Sequence, residues 1–121
     1  SGRTVRILFN VYGAERDDWI ARSRVVLNFH SYEACLFEAV RVSWLLGNGA
    51  CVLAEYGADA ALEHDYREAV EFVAYEQLVE ACLRLLDSPE RQQQLREAGP
   101  ALMQRLDLRP ALRRCLDRLT P

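Results

Sequence analysis

Along the chain, short continuous apolar runs alternate with longer stretches in which apolar residues recur every three or four positions. The runs Val5 to Phe9, Val25 to Phe29, Cys51 to Ala54 and Val70 to Val73 are rich in β-branched and aromatic residues and predict strands. Helical spacing covers Ala14 to Arg22, Ala34 to Leu46, Asp59 to Arg67 and Tyr75 to Leu86, the last with Leu78, Val79, Cys82, Leu85 and Leu86 on one face. This alternation predicts an α/β fold: a three-layer domain with a mainly parallel sheet of about four strands and C-terminal helices. Its clearest part is Val25 to Glu55, which reads as strand, polar turn, almost wholly apolar helix, glycine turn and second strand, a buried βαβ unit. After Asp87 the pattern changes. Ser88-Pro89-Glu90 marks a helix start, Arg91 to Ala98 reads as a polar, solvated helix, Gly99-Pro100 as a break, and Ala101 to Leu106 and Pro110 to Leu119 as two further helical pieces.

Composition narrows the functions open to such a domain. With 121 residues, half of them hydrophobic, the chain is the size of one domain with one sizeable core. A net charge of -3 leaves no positive excess to neutralise a phosphate backbone, so no nucleic-acid partner is expected. No segment is apolar for long enough to span a bilayer, and the first residues lack a signal pattern, so the expected location is cytoplasmic. All fifteen basic residues are arginines. A phosphate-binding loop with its lysine, a lysine Schiff base and a lysine-dependent phospho-receiver are thereby excluded. Cys35, Cys51, Cys82 and Cys115 contain no C-x-x-C pair and are expected to be reduced, mostly buried thiols.

The residues that follow each predicted strand carry the candidate chemistry. Asn10, Tyr12 and Gly13 follow the first strand, His30, Ser31, Tyr32 and Glu33 the second, Glu55, Tyr56 and Gly57 the third, Tyr75 and Glu76 the fourth. In a parallel sheet they converge on one edge, where open α/β sheets bind ligands, although turns are polar in any protein. Glu38 lies in the first turn of the apolar helix, where the helix dipole favours a carboxylate able to accept two hydrogen bonds from a vicinal diol such as a ribose. The alternative is an ion pair of Glu38 with Arg41 at a surface seam.

Cys35 and Arg41 have the C-x5-R spacing of cysteine phosphatases, but Leu36 to Val40 is too bulky, and Glu38 too negative, to cradle phosphate. Ser31, His30 and Glu33 are too close in sequence for a hydrolase triad. His64 and Asp65, within the charged stretch Glu63 to Glu68, are expected to be solvated, and Trp19 and Trp44 to lie in the core or an interface.

Residues 70 to 99, VEFVAYEQLVEACLRLLDSPERQQQLREAG, together with FEAVRVSWLLGNGACVLAE, resemble the C-terminal, donor-binding domain of GT-B glycosyltransferases, in particular the group-1-like glycosyltransferase domain. The family's E-A-x-x-x-G-x-P-V motif is matched from Glu38-Ala39 to Val52, with Gly49-Ala50-Cys51-Val52 in place of its Gly-x-Pro-Val. The resemblance implies a Rossmann-like fold. It gives Glu38 the donor ribose, and places Glu33 nearer the transferred sugar and diphosphate. Retaining members separate the two acids by seven residues; here four lie between them, and His30 stands at the full family spacing and competes for the place. Tyr75 would line the same cleft.

The reaction implied is transfer of a glycosyl group from a nucleotide diphosphate sugar to an acceptor hydroxyl, in polysaccharide biosynthesis. No cofactor or metal is implied, since no D-x-D pair is present. In the family two further strands and an N-terminal acceptor domain precede the part matched here, so residues 1-121 read as a partial nucleotide-sugar-binding domain. Such a piece is expected to be inactive alone and able to self-associate through the sheet edge left open. The competing reading is a non-catalytic Rossmann-like protein-interaction module that presents Arg91 to Ala98 and Arg109 to Arg118 to a partner.

Overall fold

A computed structural model describes residues 3–7, 11–29, 39–58, 60–106 and 109–119. Three strands, β1 (Val26–Asn28), β2 (Val52–Glu55) and β3 (Val70–Val73), form a parallel sheet in the order β1-β2-β3. Val26 pairs with Val52, and Val52 with Val70, so the strands start level. Helices α1 (Gly13–Arg22), α2 (Ala39–Gly47), α3 (Ala60–Tyr66), α4 (Leu78–Leu86), α5 (Pro89–Arg105) and α6 (Arg109–Leu119) complete the α/β, Rossmann-like arrangement.

Strand residues alternate between two apolar layers, as a sheet covered on both faces requires. Val26, Val52, Ala54, Val70 and Phe72 meet Val42, Leu45 and Leu46 of α2, Leu62 and Tyr66 of α3, and Leu102 of α5. Val25, Leu27, Cys51, Leu53 and Val73 meet Leu78, Ala81, Cys82 and Leu85 of α4 and Leu95 of α5. Helix α2 ends as its glycines predict. Ala50 N–H donates to Leu45 O and Gly49 N–H to Leu46 O, both at 3.0 Å, with Gly49 at φ +74°, the paired bonds and left-handed residue of a Schellman turn.

Helix α5 crosses the end of the sheet at which the strands begin. Arg96 Nη2 donates to the carbonyls of Ser23 (3.3 Å) and Arg24 (3.1 Å) just before β1, and Arg91 pairs with Glu71 early in β3 at 2.9 Å. A Cβ on Gly99 would stand 2.7 Å from the Leu46 carbonyl oxygen, so glycine permits the close approach of α5 to α2. Ser88 caps α5 by accepting from Arg91 N–H, with Pro89 in the first turn, as expected.

Several expectations are corrected. Gly99-Pro100 does not break α5, which runs on to Arg105: burial of Leu95 and Leu102 on either side outweighs the roughly 3 kcal/mol disfavouring an interior proline. Arg91 to Ala98 is not simply solvated, because Leu95 and Ala98 pack into the core. The described part of the predicted first strand, Val5 to Ile7, joins no ladder. Val5 and Ile7 are exposed, and Arg3 ties this segment to the Leu83 carbonyl and the Asp87 carboxylate by α4. The sheet therefore has three strands among the described residues, not about four.

Trp19 is half-buried and Trp44 exposed, and neither belongs to the two core layers. The Arg16 guanidinium lies 4.4 Å from the Trp44 ring, and Trp19 lies 4.5 Å from Arg22 and 5.7 Å from Arg6, geometry that suits cation–π attraction.

Candidate functional site

The end of the sheet at which the strands finish is not crossed by α5. β1 ends at Asn28, whose side chain is buried, and Phe29 beyond it is exposed. His30, Glu33 and Glu38, together with Cys35, lie outside the described residues. Across that stretch, Arg41 Nη2 of α2 donates to Asn28 Oδ1 and joins the end of β1 to the helix that follows it.

β2 leads into Tyr56 and Gly57. Tyr56 N–H donates to Val73 O at 2.9 Å, and its ring stacks on Phe72 with centroids 5.5 Å apart. Gly57 N–H donates to Glu63 Oε1, so a buried carboxylate on α3 holds the turn after β2. Glu63 shares a helix face with buried Tyr66, while His64 and Asp65 are exposed, as expected of them.

β3 leads through Ala74 into a 3-10 turn, Tyr75–Gln77, which places Tyr75 63% exposed at the same edge as Tyr56. A shallow groove of 190 Å³, lined by Tyr56, Arg67, Val70, Glu71, Phe72 and Arg91, runs by β3. It is smaller than the roughly 300–1,000 Å³ of most ligand pockets.

The sequence reading missed Asn28, Arg41 as its partner, and Glu63. A polar residue closing an apolar strand was the available signal for Asn28. For Glu63 it was the three-residue step to Tyr66, weakened by the charges around it.

The thiols need separate accounts. Burial pushes Cys51 up to about 11 and raises Cys82, the nearby Arg96 only partly offsetting the former. Both pack against the α4 face of the sheet, where a thiolate is disfavoured. Cys115 on α6 is exposed and departs from the expectation of mostly buried thiols. No helix among the described residues is long and apolar enough to cross a membrane.

Neither the curated proteins nor the solved structures contain a significant match to the chain. The family model described as glycosyl transferase-like matches residues 2–118, all but a few terminal positions of the sequence. On that match the chain belongs to the glycosyl transferase-like family.

Proposed function

We propose that this chain is the donor-binding part of a GT-B glycosyltransferase, holding a nucleotide diphosphate sugar at the open end of its sheet. The observation that carries the reading is the union of glycosyl transferase-like family membership with a parallel sheet whose strand ends are uncrossed by α5. Glu38 accepts hydrogen bonds from the ribose hydroxyls, His30 and Glu33 face the sugar or diphosphate, and Tyr75 lines the cleft. In the reaction the bond from the anomeric carbon to the diphosphate breaks, a bond to the acceptor oxygen forms, the acceptor hydroxyl loses its proton, and nucleoside diphosphate leaves. No metal or cofactor is part of the scheme. An N-terminal acceptor domain supplies the other wall of the cleft, and the work is done in the cytoplasm, in polysaccharide assembly.

Product mass spectrometry tests this with two proteins, the 121-residue chain and a protein that also carries an acceptor domain. Transfer needs both reactants held in one orientation, so the short chain should give none and the longer protein should turn over and lose most activity in Glu38→Ala. Transfer by the short chain alone would overturn the two-domain reading.

A second reading, a non-catalytic interaction module, is favoured by α6. This helix is exposed throughout its described side chains, with Leu112, Leu116 and Leu119 at helical spacing. A longer protein that folds yet neither binds nor transfers a nucleotide sugar would select it.

A further inference from the structure

Helix α6 (Arg109–Leu119) stands apart from the rest of the fold: every side chain described in it is exposed, and none belongs to either apolar layer. Its residues are nonetheless sorted by face. At about 3.6 residues per turn, Leu112, Cys115, Leu116 and Leu119 form one stripe, Arg113, Arg114 and Asp117 lie opposite, and Arg109 and Arg118 flank the stripe on its two margins. The leucines of the stripe are 60%, 62% and 79% exposed. Four arginines against a single acid also make the helix positive within a chain whose net charge is -3.

These residues discriminate between occupants. A second copy packed through the stripe would set arginine against arginine along both margins, with Asp117 turned away from the contact. A nucleic acid would engage the arginines and leave the leucines in water. An acidic protein groove would need carboxylates on both rims in register with Arg109 and Arg118. The surface of an anionic bilayer meets the whole pattern: the leucines enter the acyl boundary, and the marginal guanidinium forks reach headgroup phosphates wherever the helix settles. No helix among the described residues is long and apolar enough to cross a membrane, so α6 would lie along the surface. We infer that α6 is an interfacial helix through which the chain binds anionic lipid bilayers. The inference concerns a different surface from the proposed donor site and does not depend on it.

Cosedimentation with phosphatidylcholine vesicles, with and without phosphatidylglycerol, tests this. The chain should pellet with the anionic vesicles and stay in solution with the neutral ones. Arg109→Gln combined with Arg118→Gln should weaken binding about fivefold for each charge removed, and Leu112→Gln combined with Leu116→Gln about tenfold. Neither pair should move the urea midpoint, because α6 lies outside both apolar layers. Both should keep the parent affinity for UDP, the nucleoside diphosphate that probes the proposed donor site; a loss there would place α6 in that site instead. Cys115, exposed and within the stripe, gives a local readout: its alkylation by a water-soluble maleimide, followed by peptide mass mapping, should slow on anionic vesicles. No binding to anionic vesicles, equal binding to both kinds, or undiminished binding by both double variants would overturn the inference. So would an unchanged Cys115 rate in vesicle-bound protein, or a soluble dimer, split by Leu112→Gln, in a chain that ignores vesicles.

Discussion

Where the strands begin, α5 lies across the sheet, buries Leu95 and Leu102 in the two apolar layers and sets Gly99 against the backbone of α2. Where they finish, Phe29, Tyr56 and Tyr75 are exposed, and the buried groups that hold the chain are an amide and a carboxylate. The first end is held by non-directional packing, which adds stability and tolerates small rearrangements. At the second, single hydrogen bonds of defined direction hold the chain, adding little stability and a specific geometry. One end therefore carries the fold, and the other is the end at which the proposed function places recognition.

Substitutions that damage one end should leave the other untouched. The largest effect is expected from Leu95→Ala in α5, whose side chain is wholly buried: a loss of about 2–5 kcal/mol in urea unfolding, with the UDP affinity of the remaining folded protein unchanged. A parallel fall in affinity at full folding would erase the distinction.

Cys51, just before β2, gives the same end a pH signature. Its thiol ionises near 9.0 ordinarily and near 11 in the folded chain because burial disfavours the thiolate. The unfolded state thus releases a proton that the folded state keeps. This contribution is whole below pH 9 and is lost as pH rises through 11, amounting to about 2–3 kcal/mol. Comparing the urea stability of the parent and Cys51→Ala across that range isolates it, and identical slopes would mean the thiol is not held in a dry site.

Smaller again is Gly49→Ala, which forces an L side chain to φ +74° and should cost about 1 kcal/mol. That loss should appear in the thermal midpoint without altering nucleotide binding.

The sequence made the central βαβ unit readable because three signals agreed there: apolar strands, a helix of matching period and the glycines of Gly47-Asn48-Gly49. Ser88-Pro89 likewise announced α5, since an accepting side chain followed by proline serves a helix start and little else. The end of that helix was not readable, because the tertiary packing of Leu102 and Gly99 overrides the local preference of Pro100. Val5 to Ile7 misled for the converse reason. A β-rich composition makes a strand only where a neighbour offers a ladder, and this segment is anchored by Arg3 to α4.

For the candidate site, the sequence located the edge and the exposed Tyr75, while the hydrogen bonds that tether the chain there were invisible. Burial of Asn28 and Glu63 depends on which elements come together, and neither periodicity nor charge counts carry that information. The candidate residues His30, Glu33 and Glu38 lie outside the described chain and rest on the proposal.

The division of labour between the two ends is tested most directly by titrating UDP into the isotopically labelled chain and mapping the amide shifts residue by residue. The account predicts saturable shifts at Tyr56, Gly57, Tyr75 and the start of α2, with none along α5, and a fall in affinity of about tenfold to a hundredfold in Glu38→Ala. Shifts that run along α5 while the strand-end residues stay still, or no saturable shifts at any accessible UDP concentration, would contradict it.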